Sequence, residues 1–347
     1  MKFELPSTRF YGSKRRLIPW IWDCIRQSNI DFESVLDLFG GSAVFSYFLK
    51  TQNKEVYYND LFKFNYYIGK ALIENKQVKI DKNDIEYVLG RHSFYSYPFK
   101  ISRIYDNLYF PDDENETIDI VAYNISKIDD DFKRSVLYYI LIQSCIIKRP
   151  FNLFHRNNLS IRMRDVPRRF GNKITWERSF RELFERFAEE INKYVFDNKK
   201  KNTANNYSAL ECPIKADLIY LDPPYIDDKS HVSYHTRYHF LEALVNYGNF
   251  ENSVDLSSNI KRLNINNNLE FDEKKNMSGN LKFLIEKYAD SSIVLSYRTE
   301  GIPSIEAISE YFHDCKINFN MYDYNHSYAL HKSNGKLLEV LFVTKPS

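Results

Sequence analysis

Four short runs of apolar and β-branched residues, each halted by an acidic or turn-forming residue, constrain this chain more than any other feature. They are Val35-Leu36-Asp37-Leu38-Phe39, Val56-Tyr57-Tyr58-Asn59, Asp217-Leu218-Ile219-Tyr220-Leu221 and Ile293-Val294-Leu295-Ser296-Tyr297, with helical patterns between them. Near-continuous apolar runs suit strands buried on both faces, and strands alternating with helices imply a parallel sheet. A weaker strand is expected near Thr203–Tyr207. After Tyr311 the pattern changes. Lys316–Tyr324 and Leu337–Val343 read as two strands joined by Ser333-Asn334-Gly335, a turn sequence that favours a hairpin. The fold class expected is therefore α/β, an open sheet that closes with an antiparallel hairpin. A nicotinamide dehydrogenase would instead repeat the parallel unit in its second half.

At 347 residues the chain exceeds the usual size of one domain. The alternation breaks over 76–199, which holds polar stretches such as Pro111-Asp112-Asp113-Glu114-Asn115-Glu116 and a helical pattern from Asp131 to Ile147. We expect 1–75 and 200–347 to form one discontinuous domain and 76–199 to be inserted into it. Phe250–Met277, rich in Asn, Ser and Lys, is expected to contain loops. No apolar run approaches the ~20 residues of a membrane span. The first residues carry a charge of each sign and no apolar core like that of a signal peptide, so a cytoplasmic location is expected.

Cys24, Cys145, Cys212 and Cys315 form no C-x-x-C pair, which argues against a zinc knuckle or a disulfide framework. The net charge of +2 hides an uneven distribution: eleven basic and four acidic residues lie between Lys148 and Arg186, a local +7 that leaves −5 for the rest. Such an excess suits a phosphate-rich partner, although a charged stretch can equally be a solvated helix face.

The run ending at Phe39 is followed by Gly40-Gly41-Ser42 and then by a segment suited to open a helix. Glycines let the backbone approach a ligand, and a helix N-terminus favours its anionic group. Two adjacent glycines do not make the G-x-G-x-x-G dinucleotide pattern. Asp60, after the second run, can accept hydrogen bonds from ribose hydroxyls or cap the next helix. Asp37, Phe39, Gly40, Gly41, Ser42 and Asp60 together describe a site for a nucleoside with a charged tail, and S-adenosylmethionine fits that description.

Asp222-Pro223-Pro224-Tyr225 follows a strongly apolar run, which places it at the carboxyl edge of the sheet where ligands of open α/β folds bind. The prolines remove backbone donors and stiffen the loop, leaving free carbonyl acceptors. An amino group on an aromatic base is a poor nucleophile because its lone pair is delocalised. An Asp222 carboxylate and the Pro223 carbonyl accepting its two N–H bonds would let that lone pair turn toward a methyl donor, with Tyr225 stacking on the base. Positioning and electrostatics suffice for this chemistry, and no metal is called for. The bland alternative is a tight turn with Tyr225 in the core.

These motifs and their order resemble the Dam-like alpha group of adenine-N6 DNA methyltransferases, over most of the chain outside about 80 to 130. Phe10-Tyr11-Gly12-Ser13-Lys14 is similar to the N-terminal cofactor motif, Asp37 to Ser42 to the D-x-F-x-G motif, and Asp222 to Tyr225 to the catalytic motif. The resemblance implies a Rossmann-like S-adenosylmethionine-dependent methyltransferase sheet, with the inserted region recognising the DNA target. Tyr11 and Lys14 would hold the methionine end of the cofactor, Phe39 would pack beside cofactor and base, and Asp60 would take the ribose. Asn206 is the residue chosen for the cofactor's adenine. Ala43 stands where the motif often has another small residue or Gly, and Arg298 or Thr299 where the family tends to have Asn.

The basic segment offers Arg156, Asn158, Arg162, Arg164, Arg168, Arg169 and Lys173 to duplex DNA, since Arg reads guanine edges or phosphates and Asn can read adenine. His235 and Arg237, in a segment that looks like one lying near DNA in the family, complete the expected surface. His235 and His239 are spaced like metal ligands, but no third ligand accompanies them. Methylation of cytosine N4 or of RNA, and a silent DNA-binding relative, remain the rival readings. A cognate restriction endonuclease is a possible companion.

Overall fold

The computed structural model describes residues 4–7, 9–164, 173–225, 232–264, 270–271, 273–325 and 338–345. One sheet of seven strands organises them: β1 (Ser34–Asp37), β2 (Glu55–Asn59), β3 (Thr203–Asn205), β4 (Leu218–Leu221), β5 (Ser292–Arg298), β6 (Phe319–Asn325) and β7 (Leu338–Thr344). Their order is β3-β2-β1-β4-β5-β7-β6. The first five are mutually parallel, and β7 runs antiparallel to both β5 and β6. All four apolar runs, the weaker strand and the terminal pair are thus present. The turn at Ser333–Gly335 lies outside the described residues.

Side chains alternate across the sheet as the pleat requires. Val35, Val56, Tyr58, Leu218, Tyr220 and Val294 enter one apolar cluster, while Leu36, Leu38, Ile219, Leu221, Ile293 and Leu295 enter a second on the opposite face. The second cluster is closed by α12 (Lys274–Lys287) and α13 (Ile305–Asp314). The first is larger. It is covered by α1 (Ile18–Gln27), α2 (Val44–Thr51), α3 (Lys63–Gly69) and α11 (Tyr234–Val245), and by helices from the region between.

That region is helical: α4 (Lys82–Leu89), α5 (Lys100–Ile104), α6 (Asp112–Ser126), α7 (Asp131–Ile147), α8 (Leu159–Met163), α9 (Lys173–Glu177) and α10 (Phe180–Tyr194). The acidic Pro111–Glu116 stretch opens α6, where Asp112, Asp113 and Glu114 face the positive end of the helix dipole. In α7 every residue from Ser135 to Ile147 is buried, and α7 packs against α3 and α10. The helices of 76–199 therefore share an apolar cluster with the sheet.

Tyr58 locks the start of the site. Its ring is fully buried between Gly40 and Gly69: a Cβ on Gly40 would fall 2.1 Å from Cε2, and one on Gly69 would fall 2.3 Å from Cδ1. Its hydroxyl lies 2.8 Å from the Gly41 carbonyl and 3.1 Å from that of Asn65. Replacing a helical glycine by alanine normally stabilises by up to ~1 kcal/mol. Gly69→Ala is expected to do the reverse and cost roughly 1–3 kcal/mol, because the methyl group overpacks a ring with no room to move. A urea-denaturation midpoint at or above that of the wild type would show that the ring is not held in this way.

Candidate active site

Register brings the site together. Asp37 pairs with Tyr58 of β2 on one side and Tyr220 of β4 on the other, so the carboxyl ends of three strands stand level. The chain leaves β1 toward β2 and reaches β4 on the other flank, and this reversal opens a crevice at their ends. A cavity of about 390 Å³ occupies it. Its wall includes Tyr11, Lys14, Asp37, Phe39, Gly40, Gly41, Ser42, Asp60, Asp222, Pro223, Pro224, Tyr225 and Arg237. Three motifs separated by some two hundred residues thus face one space.

The glycine turn is held by its neighbours. Gly40 N–H donates to the Asn59 carbonyl at 2.8 Å, and Gly41, at φ +49°, donates its N–H to Asp60 Oδ2 at 2.9 Å. Ala43 sits at φ +59°, a left-handed conformation that glycine adopts without penalty, which explains why Gly would suit this position. Asp60 Oδ1 accepts the Phe62 N–H at 2.8 Å, so both of its oxygens brace backbone, the Asn65 side chain adds a further hydrogen bond, and the residue lines the cavity. Burial pushes the Asp60 carboxyl up to about 6, against the backbone hydrogen bonds that lower it. Asp37 is more deeply buried. Its Oδ2 accepts the Ser46 hydroxyl, its Oδ1 has no hydrogen-bond partner among the described residues, and burial raises the carboxyl to about 7.

At the other end of the crevice, Lys14 is 4% exposed and its ammonium meets Asp222 Oδ1 at 3.1 Å, Glu339 Oε1 and the Tyr225 hydroxyl. Lys14, expected at the methionine end of the cofactor, lines the cavity with two protein carboxylates on its ammonium. The Tyr225 hydroxyl lies 2.8 Å from Asp222 Oδ1 and 3.0 Å from Glu339 Oε1. Its ring packs edge-on against Tyr297, with the Arg298 guanidinium 5.3 Å from its centre. Burial is the main force raising the Asp222 carboxyl to about 6; Glu339 adds to it and Lys14 opposes it. Tyr11 is exposed, and the Arg237 guanidinium stacks 4.2 Å from its ring. Phe39 packs edge-on against Phe271 at 5.0 Å.

Several expected residues stand elsewhere. Asn206 does not line the cavity; its amide donates to the Asp60 and Leu61 carbonyls and steadies the loop carrying Asp60. Arg162 turns inward, clasping Glu114 with bonds of 2.8 and 2.7 Å and reaching the Trp176 carbonyl. It is part of the core packing rather than of an open DNA surface, since Glu114 is held by Lys148 as well. His235 is also internal. It stacks on Phe62 at an angle of 4°, and burial lowers it to about 4, so it is a neutral aromatic packed against Phe62. His239 is bonded to the Tyr109 hydroxyl and the Leu263 N–H. Arg156, Arg164 and Lys173 are exposed and Asn158 is half-buried; Lys173 has Glu177 at 3.6 Å. Arg168 and Arg169 lie outside the described residues.

Glu339 and Phe271 were missed in the sequence. Phe271 carries no pattern, but Glu339 has one: it is a lone charge inside an otherwise apolar strand.

The chain matches the profile of D12 class N6 adenine-specific DNA methyltransferases over residues 10–310. It belongs to that family. The match spans the glycine turn, the Asp222 loop and all of the helical region between them. Relatives include Type II methyltransferase M2.HphI of Haemophilus parahaemolyticus, 27% identical over 64% of this chain and 66% of that one. Modification methylase StsI of Streptococcus sanguinis is 28% identical over 87% of this chain and 45% of its own. Type II methyltransferase M.FokI of Planomicrobium okeanokoites is 24% identical over 94% and 50%. The chain thus spans between about half and two thirds of the length of these relatives. Among the described residues no helix is long and apolar enough to cross a membrane.

The two kinds of arginine in the basic segment are separable by stability. Arg162→Met, which strips Glu114 of its bidentate partner, is expected to cost roughly 2–4 kcal/mol in denaturant unfolding. Arg164→Met, on the surface, should change stability by less than about 0.5 kcal/mol. Equal stabilities for the two variants would refute the inward placement of Arg162.

Proposed function

We propose that this chain transfers the methyl group of S-adenosylmethionine to the N6 amino group of an adenine swung out of duplex DNA. The observation that carries the reading is the meeting, in one cavity, of the Asp222-Pro223-Pro224-Tyr225 loop with the glycine turn and Asp60. The residues suit a nucleoside bearing positive charge: Gly41 admits close approach, Asp60 lines the cavity with a carboxylate suited to ribose hydroxyls, and Asp37 Oδ1 is a buried acceptor without a hydrogen-bond donor among the described residues. When bound, S-adenosylmethionine supplies an electrophilic methyl group on a sulfonium.

An Asp222 oxygen and the Pro223 carbonyl accept the two N6–H bonds, and the lone pair is thereby turned out of conjugation. Tyr225, its hydroxyl tied to carboxylates, presents its ring as a fixed face for the base. Alkylation leaves N6 with one proton too many, and Asp222, ionised at neutral pH with its carboxyl near 6, is the group placed to accept it. Preorganised acceptors of this kind commonly contribute a hundredfold or more in rate.

The region 76–199 serves in this reading as the target-recognition region. Arg156, Arg164, Arg168, Arg169, Lys173 and Asn158 contact the duplex, and Arg237, which lines the cavity, meets the DNA beside the flipped base. The relatives are named as modification or type II methyltransferases, and we infer the same setting here, a cytoplasmic methylase working alone or beside a restriction endonuclease that attacks the same site.

Incubation with radiolabelled S-adenosylmethionine and duplex DNA is expected to label adenine N6. Asp222→Ala should fold and lower transfer by about 100-fold or more. Label on cytosine, or on RNA alone, would overturn the proposal.

The carboxyls add a pH test. Asp37, Asp60 and Asp222 are raised above their ordinary value near 3.8. Between about pH 4 and 7 the unfolded chain ionises first, so each costs stability as pH rises, and the cost is complete above about 7. A cationic ligand relieves it. S-adenosylmethionine is therefore expected to raise the melting temperature more at pH 8 than at pH 5.5, and S-adenosylhomocysteine, whose sulfur is neutral, to show a weaker pH dependence. Identical profiles for the two ligands would remove the electrostatic part of the reading.

A further inference from the structure

Glu339 is a buried carboxylate that no motif marks. It stands on β7 opposite Arg298 of β5 and Tyr324 of β6, and it is 0% exposed. A charge in the middle of a sheet is costly unless it is paired. Here Oε1 takes the Lys14 ammonium, lies 3.0 Å from the Tyr225 hydroxyl and is within 3.4 Å of the Ser296 hydroxyl.

The same two donors also address Asp222. Lys14 Nζ is 3.1 Å from Asp222 Oδ1 and the Tyr225 hydroxyl 2.8 Å from it. Asp222 is thus engaged by groups that the target amino group must share or displace. Had they no other acceptor, an ammonium and a phenol would have to be left unpaired in a poorly solvated cavity for Asp222 to turn toward the base. Glu339 supplies that acceptor without any large movement.

We propose that Glu339 is a positioning residue for methyl transfer: it draws the Lys14 ammonium and the Tyr225 hydroxyl away from Asp222 as the target amino group arrives, freeing the Asp222 oxygen and fixing the Tyr225 ring. This rests on the amino-methylation reading above. It also fixes the local charge. Lys14 alone would neutralise Asp222 and weaken it as an acceptor, whereas the Glu339–Lys14–Asp222 set keeps a net negative charge beside a nitrogen that becomes cationic. Among the described residues, Asp37 from β1, Tyr220 from β4 and Tyr234 from α11 also act on Asp222, and Arg298 from β5 stands over the Tyr225 ring.

Single-turnover methylation of duplex DNA by Glu339→Gln, with both substrates saturating, tests the proposal. The rate should fall about tenfold or more while cofactor affinity stays within about twofold, since Glu339 lies beyond the glycine turn. The acid limb of the pH–rate profile should move to lower pH by roughly half a unit or more, because a like charge that disfavours Asp222 ionisation has gone. Glu339→Asp, which keeps the charge, should retain the wild-type limb. A lower rate with an unmoved limb would make Glu339 merely structural and overturn the proposal, as would an unchanged rate. If Glu339→Gln does not fold, Lys14→Met is compared with Lys14→Met/Glu339→Gln, in which no buried ammonium is left over, and the double variant should have the lower limb. A wild-type protein that does not methylate adenine would count against the proposed function instead.

Discussion

Asp37 stands level with Tyr58 on one flank and Tyr220 on the other, and this pairing of β1 with both neighbours is the constraint behind the whole active site. A slip of one residue in either ladder would send every side chain to the opposite face. It would also move the glycine turn, Asp60 or the Asp222 loop along the strand axis by about 3.3 Å. The two apolar clusters oppose such a slip, because Val35 and Leu36, Leu218 and Ile219, Ile293 and Leu295 are each committed to a face. The hydrophobic packing far from the cavity is therefore what sets the distance between cofactor turn and catalytic loop.

On this frame two devices refine the site. Tyr58 fills the gap between Gly40 and Gly69 and ties its hydroxyl to the Gly41 carbonyl, so that the turn rests on a ring that helix α3 supports from behind. The buried charges are the second device. Lys14, Asp222 and Glu339 come from an N-terminal turn, the loop after β4 and the antiparallel strand β7, and each is tolerable in this environment only because the others are there.

The parts of this arrangement that depend on neighbours in sequence could be read directly. The apolar runs reveal strands, the glycines reveal a turn, and Asp222-Pro223-Pro224-Tyr225 is stiff wherever it occurs. What escaped reading depends on partners far along the chain. Arg162 looked like a DNA contact until Glu114, 48 residues earlier, was found to hold it. Lys148 and Arg149, counted in the basic excess, are likewise buried, with Arg149 bonded to the carbonyls of Tyr109, Leu153 and Arg156. A sum of formal charges does not show which way the charges point. His235 was misplaced for the same reason, since its stacking partner Phe62 comes from the loop after β2.

The contact between Lys14 and Glu339 spans 325 positions. A ribosome adds residues in order, so the first member of the charge cluster emerges long before the last. Until β7 has left the exit tunnel, Glu339 cannot reach Lys14, and the edge of β5 that pairs with β7 lacks that partner. Glu339 therefore joins the site only after Lys14 and Asp222 have both been made. Premature release of the nascent chain would therefore yield a molecule that carries every recognisable motif and yet lacks a completed centre.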